Sequence, residues 1–552
     1  MTAKRVKLVA DFETTTNPED CRVWLYGLCE LDDSSLFSVG TSIEHFCGIV
    51  SKQDSTVYFH NLKFDGVFIA DHLFREGYKH TTAKRPRSGE FTSLISRQGQ
   101  WYQLTVHWFS GSKTEFRDSL KKLPMSVKRI AKSFSLPVQK GEIDYDKPRL
   151  PGYTPTPDEV EYVKKDVGIV ASALALQEKN SKGRLTIGAD ALAEYKALIG
   201  EKTFRGLFPI LDVNVDANIR SAYRGGWTYV DRRRQMKVLG CGKVYDVNSL
   251  YPYIMYTELL PYGFPEYFES EPEPTKRRPL WVASMTFEAT IKPGHLPVIP
   301  LKNTFHFSAT EYIESTDGPV TLTLTNVDWE LWSAHYNIDV HSWNGGFRFI
   351  GAIGLFEAYI DKWMAVKMGS EGGLREIAKL HLNSLYGKFA TNPDITGKKP
   401  VFEDDRVRLV TGDIESREPV YTPIGVFVTA YARALTIRAA QDQYDTFAYA
   451  DTDSLHLITA VQPDLDIHPS RLGAWKHEYD FDRALYARAK AYSELRTDTG
   501  EYETRIAGLP RDIAAKLTVD DFHEGASWGG KLVPKIVPGG VVLRDTTFTL
   551  KL

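Results

Sequence analysis

Tyr449-Ala450-Asp451-Thr452-Asp453-Ser454 places two aspartates one residue apart in a run of β-favouring residues that continues through Leu455-His456-Leu457. Read as one strand, side-chain alternation puts Asp451 and Asp453 on the same face with their charges close together. Two like charges packed in that way are costly unless a cation neutralises them. The segment Val244-Tyr245-Asp246-Val247-Asn248-Ser249-Leu250-Tyr251-Pro252 offers a further aspartate at a strand end. Together they point to a divalent-metal site for phosphoryl chemistry.

A chain of 552 residues is too long for one ordinary core, so two or more domains are expected. Hydrophobic residues make up 42%, which suits a globular protein with sizeable cores. No window is long and apolar enough to cross a bilayer, and Met1-Thr2-Ala3-Lys4-Arg5 runs straight into a strand-like segment. Neither a signal peptide nor a membrane span is expected. Cys21, Cys29, Cys47 and Cys241 contain no C-x-x-C pair, which argues against a disulfide framework or zinc site and fits a reducing cytoplasm. A net charge of -3 excludes a uniformly basic DNA-coating protein but not a nucleic-acid enzyme. The basic clusters Lys121-Lys122 with Lys128, Arg129 and Lys132, Arg232-Arg233-Arg234, and Lys276-Arg277-Arg278 read singly as solvated charged faces.

Residues 1–185 alternate strands and helices in an α/β pattern, with a strand at 6–10, helices at 67–74 and 158–176, and a boundary in the polar run 177–188. The remainder is mixed α+β. A Pro- and aromatic-rich, strand-like block spans 260–354, helical residues run from 356 to 389, a charged segment covers 394–418, and 533–543 forms a small β element.

Asp11 and Glu13 form a D-x-E pair on one face at a strand end. Asp65 follows in His60-Asn61-Leu62-Lys63-Phe64-Asp65-Gly66, and Tyr162 and Asp166 share a helical face four residues apart. Taken singly, each acid reads as an ordinary surface or capping residue. Converging, they suit two magnesium ions roughly 3.5–4 Å apart, with a tyrosine to orient a nucleophilic water. Farther along, Arg375, Lys379, Asn383 and Tyr386 recur at helical spacing and form one polar stripe, which Lys367 can join from two to three turns earlier. Cations for phosphates and a phenol for base or sugar fit a nucleoside triphosphate. Alone, the stripe also reads as an exposed amphipathic helix.

Asp11-x-Glu13, Asp65 and Tyr162-x-x-x-Asp166 resemble, in order and spacing, the three exonuclease motifs of proofreading DNA polymerases. The segments around Asp246, Lys379 to Gly387, and Asp451 to Ser454 resemble motifs A, B and C of family B DNA polymerases. Tyr223-Arg224-Gly225-Gly226, Lys490-Ala491-Tyr492, Phe116 to Leu120 and Pro538 to Leu543 extend the resemblance over essentially the whole chain, and two inserted segments point to the protein-primed subgroup.

The resemblance implies a ribonuclease-H-like 3′–5′ exonuclease domain at 1–186, followed by a right-hand polymerase domain. Its parts would be palm at 187–258 and 419–510, a first inserted region at 259–355, fingers at 356–393, a second inserted region at 394–418 and thumb at 511–552. It implies a DNA-directed DNA polymerase that starts from a terminal-protein hydroxyl, displaces strands and proofreads. Two Mg2+ ions per active site, with Mn2+ as a substitute, would be held by Asp246, Asp453 and the Val247 carbonyl with Asp451 close by, and by Asp11, Glu13, Asp65 and Asp166. Tyr162 and Lys140 would assist hydrolysis. Tyr251, Lys367, Arg375, Lys379, Asn383 and Tyr386 would bind the deoxynucleotide, with Tyr251 excluding a 2′-hydroxyl. Thr14, His60, Asn61, Phe64, Ser119 and Leu120 would hold the frayed strand, while Tyr223, Arg224, Gly225, Gly226, Lys490 and Tyr492 would contact primer and template.

Implied partners are template and primer DNA, deoxynucleoside triphosphates, a terminal protein as heterodimer, and single- and double-strand DNA-binding proteins of the same genome. The implied location is a bacterial host's cytoplasm, without secretion. His381 and Tyr253 depart from the subgroup's side chains, and 497–510 is shorter than its counterpart. His381 lies half a turn off the nucleotide stripe and reads as packed or solvated. Two rival readings are a nuclease with a degenerate polymerase half and a non-catalytic DNA-binding scaffold. Intact Asp246, Asp451, Asp453 and Lys379 oppose the first, and carboxylates in two metal-site patterns oppose the second.

Overall fold

The computed structural model describes residues 5–145, 147–301 and 311–552. The N-terminal run-in of residues 1–4 and part of the expected first inserted region lie outside these residues.

Strand Val6–Thr14 is an interior strand of a ten-stranded sheet, parallel to Ser55–Phe59 and antiparallel to Val23–Glu30. Ser55–Phe59 is buried throughout and is parallel in turn to Lys113–Asp118, as covered parallel strands require. Trp101–His107 and Glu90–Ser96 continue the sheet antiparallel. Helix Leu62–Arg75 begins five residues earlier than the apolar run at 67–74 suggests. Helix Pro157–Lys179 starts at Thr156, whose hydroxyl caps Glu159 N–H while the Glu159 carboxylate caps Thr156 N–H.

Two distant hairpins complete this unit. Asp394–Glu403 and Arg406–Ser416, expected only as a charged segment, form a hairpin that adds to the sheet edge, with Lys398 beside Ile95. The C-terminal hairpin Ser527–Val537 and Gly540–Thr549 buries Val537, Val541 and Val542 in the same core as Phe68 and Phe91, and Gly539 N–H donates to Asp71 Oδ1 at 3.3 Å.

The second half is built on a seven-stranded sheet ordered 502–506, 491–496, 475–488, 242–247, 454–457, 447–451 and 228–230, packed by helices Leu250–Thr257 and Thr422–Asp442. The block at 260–354 is a four-stranded sheet, but also carries helix Asn326–His335, which strand patterning concealed. Residues 356–389 are two helices, Glu357–Gly369 and Gly372–Phe389, rather than one. The break at Ser370 and Glu371 turns the chain at Gly372, whose φ of +53° favours glycine.

One basic cluster is not a solvated face. Lys122 is buried and bridges Glu178 at 2.7 Å and Asp190 at 3.0 Å, tying the first unit to helix Ile187–Ile199.

Candidate active sites

In the N-terminal unit Asp11 and Glu13 lie two apart on the continuous strand Val6–Thr14. Asp65 stands on the first turn of helix Leu62–Arg75, after Asn61 at φ +84°. Asp118 Oδ1 fixes this entrance by accepting from the N–H groups of Asn61 and Leu120, each at 3.0 Å. Asp166 lies one turn beyond Tyr162 on helix Pro157–Lys179. Lys140 Nζ donates to Asp166 and sits 5.3 Å from the Tyr162 ring centre, while Tyr162 shares a 3.0 Å hydroxyl contact with Tyr145.

Burial, with Asp166's charge adding to it, pushes Asp11 up to about 7. Burial and then Asp11 hold Glu13 and Asp65 well above the usual carboxylate range. Asp166 is raised by burial despite Lys140. Asp65 Oδ1 and Asp166 Oδ1 are buried with no hydrogen-bond partner. A hard, oxygen-seeking dication fits this donor set, because it would satisfy the orphaned oxygens and offset the clustered charge. Among the described residues, however, no three His, Cys, Asp or Glu side chains close into a finished metal cage at either site.

Thr14, Asn61, Phe64 and Leu120 reach the surface beside these acids, wholly or in part. Ser119 does not. It is fully buried, donating to Phe59 O at 3.0 Å and lying 2.9 Å from His60 Nδ1, whose Nε2 is 2.7 Å from Met125 O. Ser119 therefore braces His60 beneath this surface.

In the second half, Asp246 lies on strand Gly242–Val247, opposite Ser454 on one side and Lys476 on the other. Residues 449–457 do not form the one strand their β-favouring run suggests. Phe447–Asp451 and Ser454–Leu457 are two antiparallel strands, and Asp453 occupies the tight turn between them with Thr452 at φ +67°. Turn geometry, not alternation, aims Asp453. The turn is pinned by Thr452 N–H to Trp227 O at 2.8 Å, Thr436 Oγ1 to Thr452 O at 2.7 Å, and Val247 N–H to Asp453 O at 2.8 Å. A Cβ at Gly226 would lie 2.5 Å from Thr452 Oγ1, so only glycine admits the turn there.

The three aspartates differ electrostatically. Asp451 accepts from Thr228 Oγ1 at 2.9 Å and from Lys490 Nζ at 2.9 and 3.1 Å. Asp246 is pushed up to about 8, first by burial and then by Asp453 and Glu478. Burial, with Asp451 adding, lifts Asp453 to about 6. The charge still to be compensated therefore rests on Asp246 and Asp453, the pair a dication would neutralise.

Lys367 reaches the site across the inter-helix turn, not along one helix. Its Nζ donates to Ser249 Oγ at 2.9 Å, and Arg375 Nη1 donates to the Lys367 carbonyl at 2.8 Å. Burial, then the charges of Arg375 and Lys379, lower the Lys367 pKa, as expected of gathered cations. Lys379 Nζ donates to Glu376 at 2.5 Å, Asn383 is exposed, and Tyr386 stacks on Tyr251 with ring centres 4.1 Å apart and planes at 20°.

Among the expected DNA contacts, Gly225 is exposed and Lys490 points at Asp451, while Tyr492 packs 5.1 Å from Tyr449. Arg224 departs from expectation. Its side chain is buried 5.4 Å over Trp332, and burial lowers its pKa to about 10. Arg433 holds the carbonyls of Arg224 and Gly225 at 2.8 and 3.1 Å, so this loop presents backbone rather than a guanidinium. His381 is the packed histidine, stacked 4.0 Å from Trp363 and pushed by burial to about 4.

Sequence reading missed Thr228, Thr436, Ser249, Tyr145 and Glu478. Only Glu478, an acid on the strand beside Asp246, carried a charge that could have flagged it.

A family model for DNA polymerase type B, organellar and viral, matches residues 47–153 and 146–471. The chain belongs to that family. It is 43% identical to the DNA polymerase of Bacillus phage phi29 over 98% of both chains, and 32% identical to that of Streptococcus phage Cp-1 over 98% of both. The structure of phi29 DNA polymerase complexed with primer-template DNA superposes with a TM-score of 0.95 at 42% identity, covering 99% of this chain and 100% of that one. The ternary complex of the phi29 enzyme with DNA and incoming nucleotide substrates gives 0.93 over the same shares. This family B polymerase is thus a DNA-directed DNA polymerase. No helix among its described residues is long and apolar enough to cross a membrane.

Proposed function

We propose that this polymerase copies a linear phage genome from a terminal-protein hydroxyl, with strand displacement and 3′–5′ proofreading, in a host cytoplasm. The observation that carries the nucleotidyl-transfer reading is one constellation: half-buried Asp246 and Asp453, whose pKa values are raised, the gathered cations Lys367, Arg375 and Lys379, and the Tyr251–Tyr386 stack. Asp246, Asp453 and the Val247 carbonyl would hold two magnesium ions, with manganese as a substitute. Bound there, these ions would lower the pKa of the primer hydroxyl and offset charge on the triphosphate. The chain's own groups do the rest. The three cations bind phosphate oxygens, Tyr386 packs on the incoming base, and Tyr251 closes the space beside the sugar C2′ against a hydroxyl. Lys490 pairs with Asp451, which supports the site from beside it.

Asp11, Glu13, Asp65 and Asp166 are read as the ligands of a second, hydrolytic pair of ions in an exonuclease domain at 1–186. There Tyr162 orients water, and Thr14, Asn61, Phe64 and Leu120 hold the frayed end. The 187–258 and 419–510 segments are assigned to a palm, 356–393 to fingers and 511–552 to a thumb. The region at 259–355 is assigned to contacts with priming protein and DNA, and the 394–418 hairpin to processivity and strand displacement. The fit to phi29 polymerase bound to primer-template DNA and nucleotide supports these assignments.

Primer extension with labelled deoxynucleotides and magnesium tests the synthetic reading and should yield full-length product through duplex ahead of the primer. Transfer of one deoxynucleotide to a hydroxyl of the terminal protein encoded beside this gene tests priming. Extension of DNA primers with no transfer to any such protein would defeat the priming claim.

A further inference from the structure

We propose that Glu494 is a positioning residue for nucleotidyl transfer, acting on the turn that carries Asp453 through His456 and Ser454. Glu494 lies on strand Ala491–Arg496 and is 0% exposed, yet it is not isolated. One carboxyl oxygen meets His456 Nδ1 at 2.6 Å and accepts from the Tyr486 hydroxyl, while the other accepts from the Tyr479 hydroxyl at 2.7 Å. These three donors come from two further strands of the sheet, so one side chain gathers three strands at the level of the aspartate turn.

The contacts continue toward the site. His456 Nε2 lies 3.5 Å from Ser454 Oγ, and that oxygen accepts from the Asp451 N–H at 3.2 Å. With Glu494 accepting the Nδ1 proton, Nε2 is left as an acceptor for the Ser454 hydroxyl. The contacts then run from Asp451 N–H to Ser454 Oγ and from His456 Nδ1 to Glu494, with the Ser454 hydroxyl 3.5 Å from both His456 Nε2 and Asp451 O. Tyr449, Tyr492 and Tyr486 surround the imidazole at ring distances of 5.0, 5.3 and 5.8 Å, leaving it little freedom to turn. A buried acid is weak support for stability, because an apolar side chain of similar volume can often replace it. What Glu494 contributes is orientation. It fixes the histidine tautomer, the histidine fixes Ser454, and Ser454 fixes the backbone on which Asp451 and Asp453 stand. It touches no reacting atom.

This inference rests on the reading of Asp246 and Asp453 as the nucleotidyl-transfer centre, and the experiment separates the two. Steady-state nucleotide addition is measured against magnesium concentration for the full chain and for Glu494→Met, Glu494→Gln, His456→Phe and Asp453→Ala, with melting temperature and single-strand degradation recorded for each. Glu494→Met should lower kcat about 10–100-fold and raise the magnesium half-saturation point, with single-strand degradation retained. Glu494→Gln keeps an acceptor for Nδ1 and should recover most of the loss. His456→Phe severs the same path while leaving Glu494 its two tyrosine donors, so it should reproduce the defect even if Glu494→Met does not fold. Unchanged kcat and magnesium dependence in folded Glu494→Met and His456→Phe would overturn the proposal, as would losses that merely follow the folded fraction. Synthesis that survives Asp453→Ala would instead sink the reading of the turn itself.

Discussion

The two acid clusters solve one electrostatic problem in different ways. In the N-terminal unit the carboxylates stand on regular elements, an interior strand and two helices, and Lys140 pairs with Asp166. In the second half Asp453 sits in a turn, and the local cation, Lys490, hydrogen-bonds Asp451. Asp246 and Asp453 keep raised pKa values despite the charges of Lys476 and Lys490. A site on rigid elements can be read from periodicity, whereas a site on a turn depends on whatever pins the turn. The first site has orphaned oxygens braced by secondary structure, and the second has hydrogen bonds reaching in from Trp227, Thr436 and Val247.

The sharpest way to break this comparison is a double dissociation. Asp453→Ala should reduce primer extension by about 10³-fold or more and leave single-strand degradation in place, and Asp65→Ala should do the converse. Loss of both activities from either folded variant would merge the two sites. The counter-cations come next. Lys140→Met should lower single-strand degradation by about 10–100-fold without slowing extension, and Lys490→Met should slow extension without altering degradation, both measured by gel assays on matched substrates.

A pH experiment compares the clusters without assaying turnover. Asp11 at about 7 and Asp246 at about 8 bind more protons in the folded than in the unfolded chain. Metal-free protein should therefore lose stability as pH rises from 6.5 to 8. Below that window the depressed histidines His80, His335 and His381, each near 4, give the opposite slope and mask the effect. Melting curves in chelator should fall across 6.5 to 8, magnesium should restore more at pH 8 than at 6.5, and Asp246→Asn should flatten part of the slope. A melting temperature that rises with pH in chelator would contradict the assigned directions. The smallest effect is expected at Thr436→Val, which removes one of three pins on the turn and should slow extension by about fivefold, or roughly 1 kcal/mol, with degradation unchanged.

Much of this was legible because it is local. Two-residue spacing put Asp11 and Glu13 on one strand, four-residue spacing put Tyr162 and Asp166 on one helix, and Arg375, Lys379 and Tyr386 were found by helical period. The same period misled at Lys367, where a two-residue break replaces a continuous helix, and alternation misled at Asp453, where a hairpin replaces a continuous strand. Short apolar runs do not declare a reversal of direction when no Gly-Asn or Pro-Gly signal marks it. Motif resemblance points Arg224 and Ser119 toward DNA, yet burial takes both side chains from the surface, and burial is a property of neighbours distant in the chain.

The sequence by itself determined which acids, cations and aromatics this polymerase carries, and the local elements that hold most of them, because hydrogen-bonding period and side-chain alternation act over a few residues. Tertiary structure alone decided which carboxylates share charge, that Lys490 hydrogen-bonds Asp451 while easing the charge of Asp453, and that two hairpins far apart in the chain close onto the first unit. Those outcomes depend on desolvation and on contacts between segments hundreds of residues apart, which no local pattern encodes.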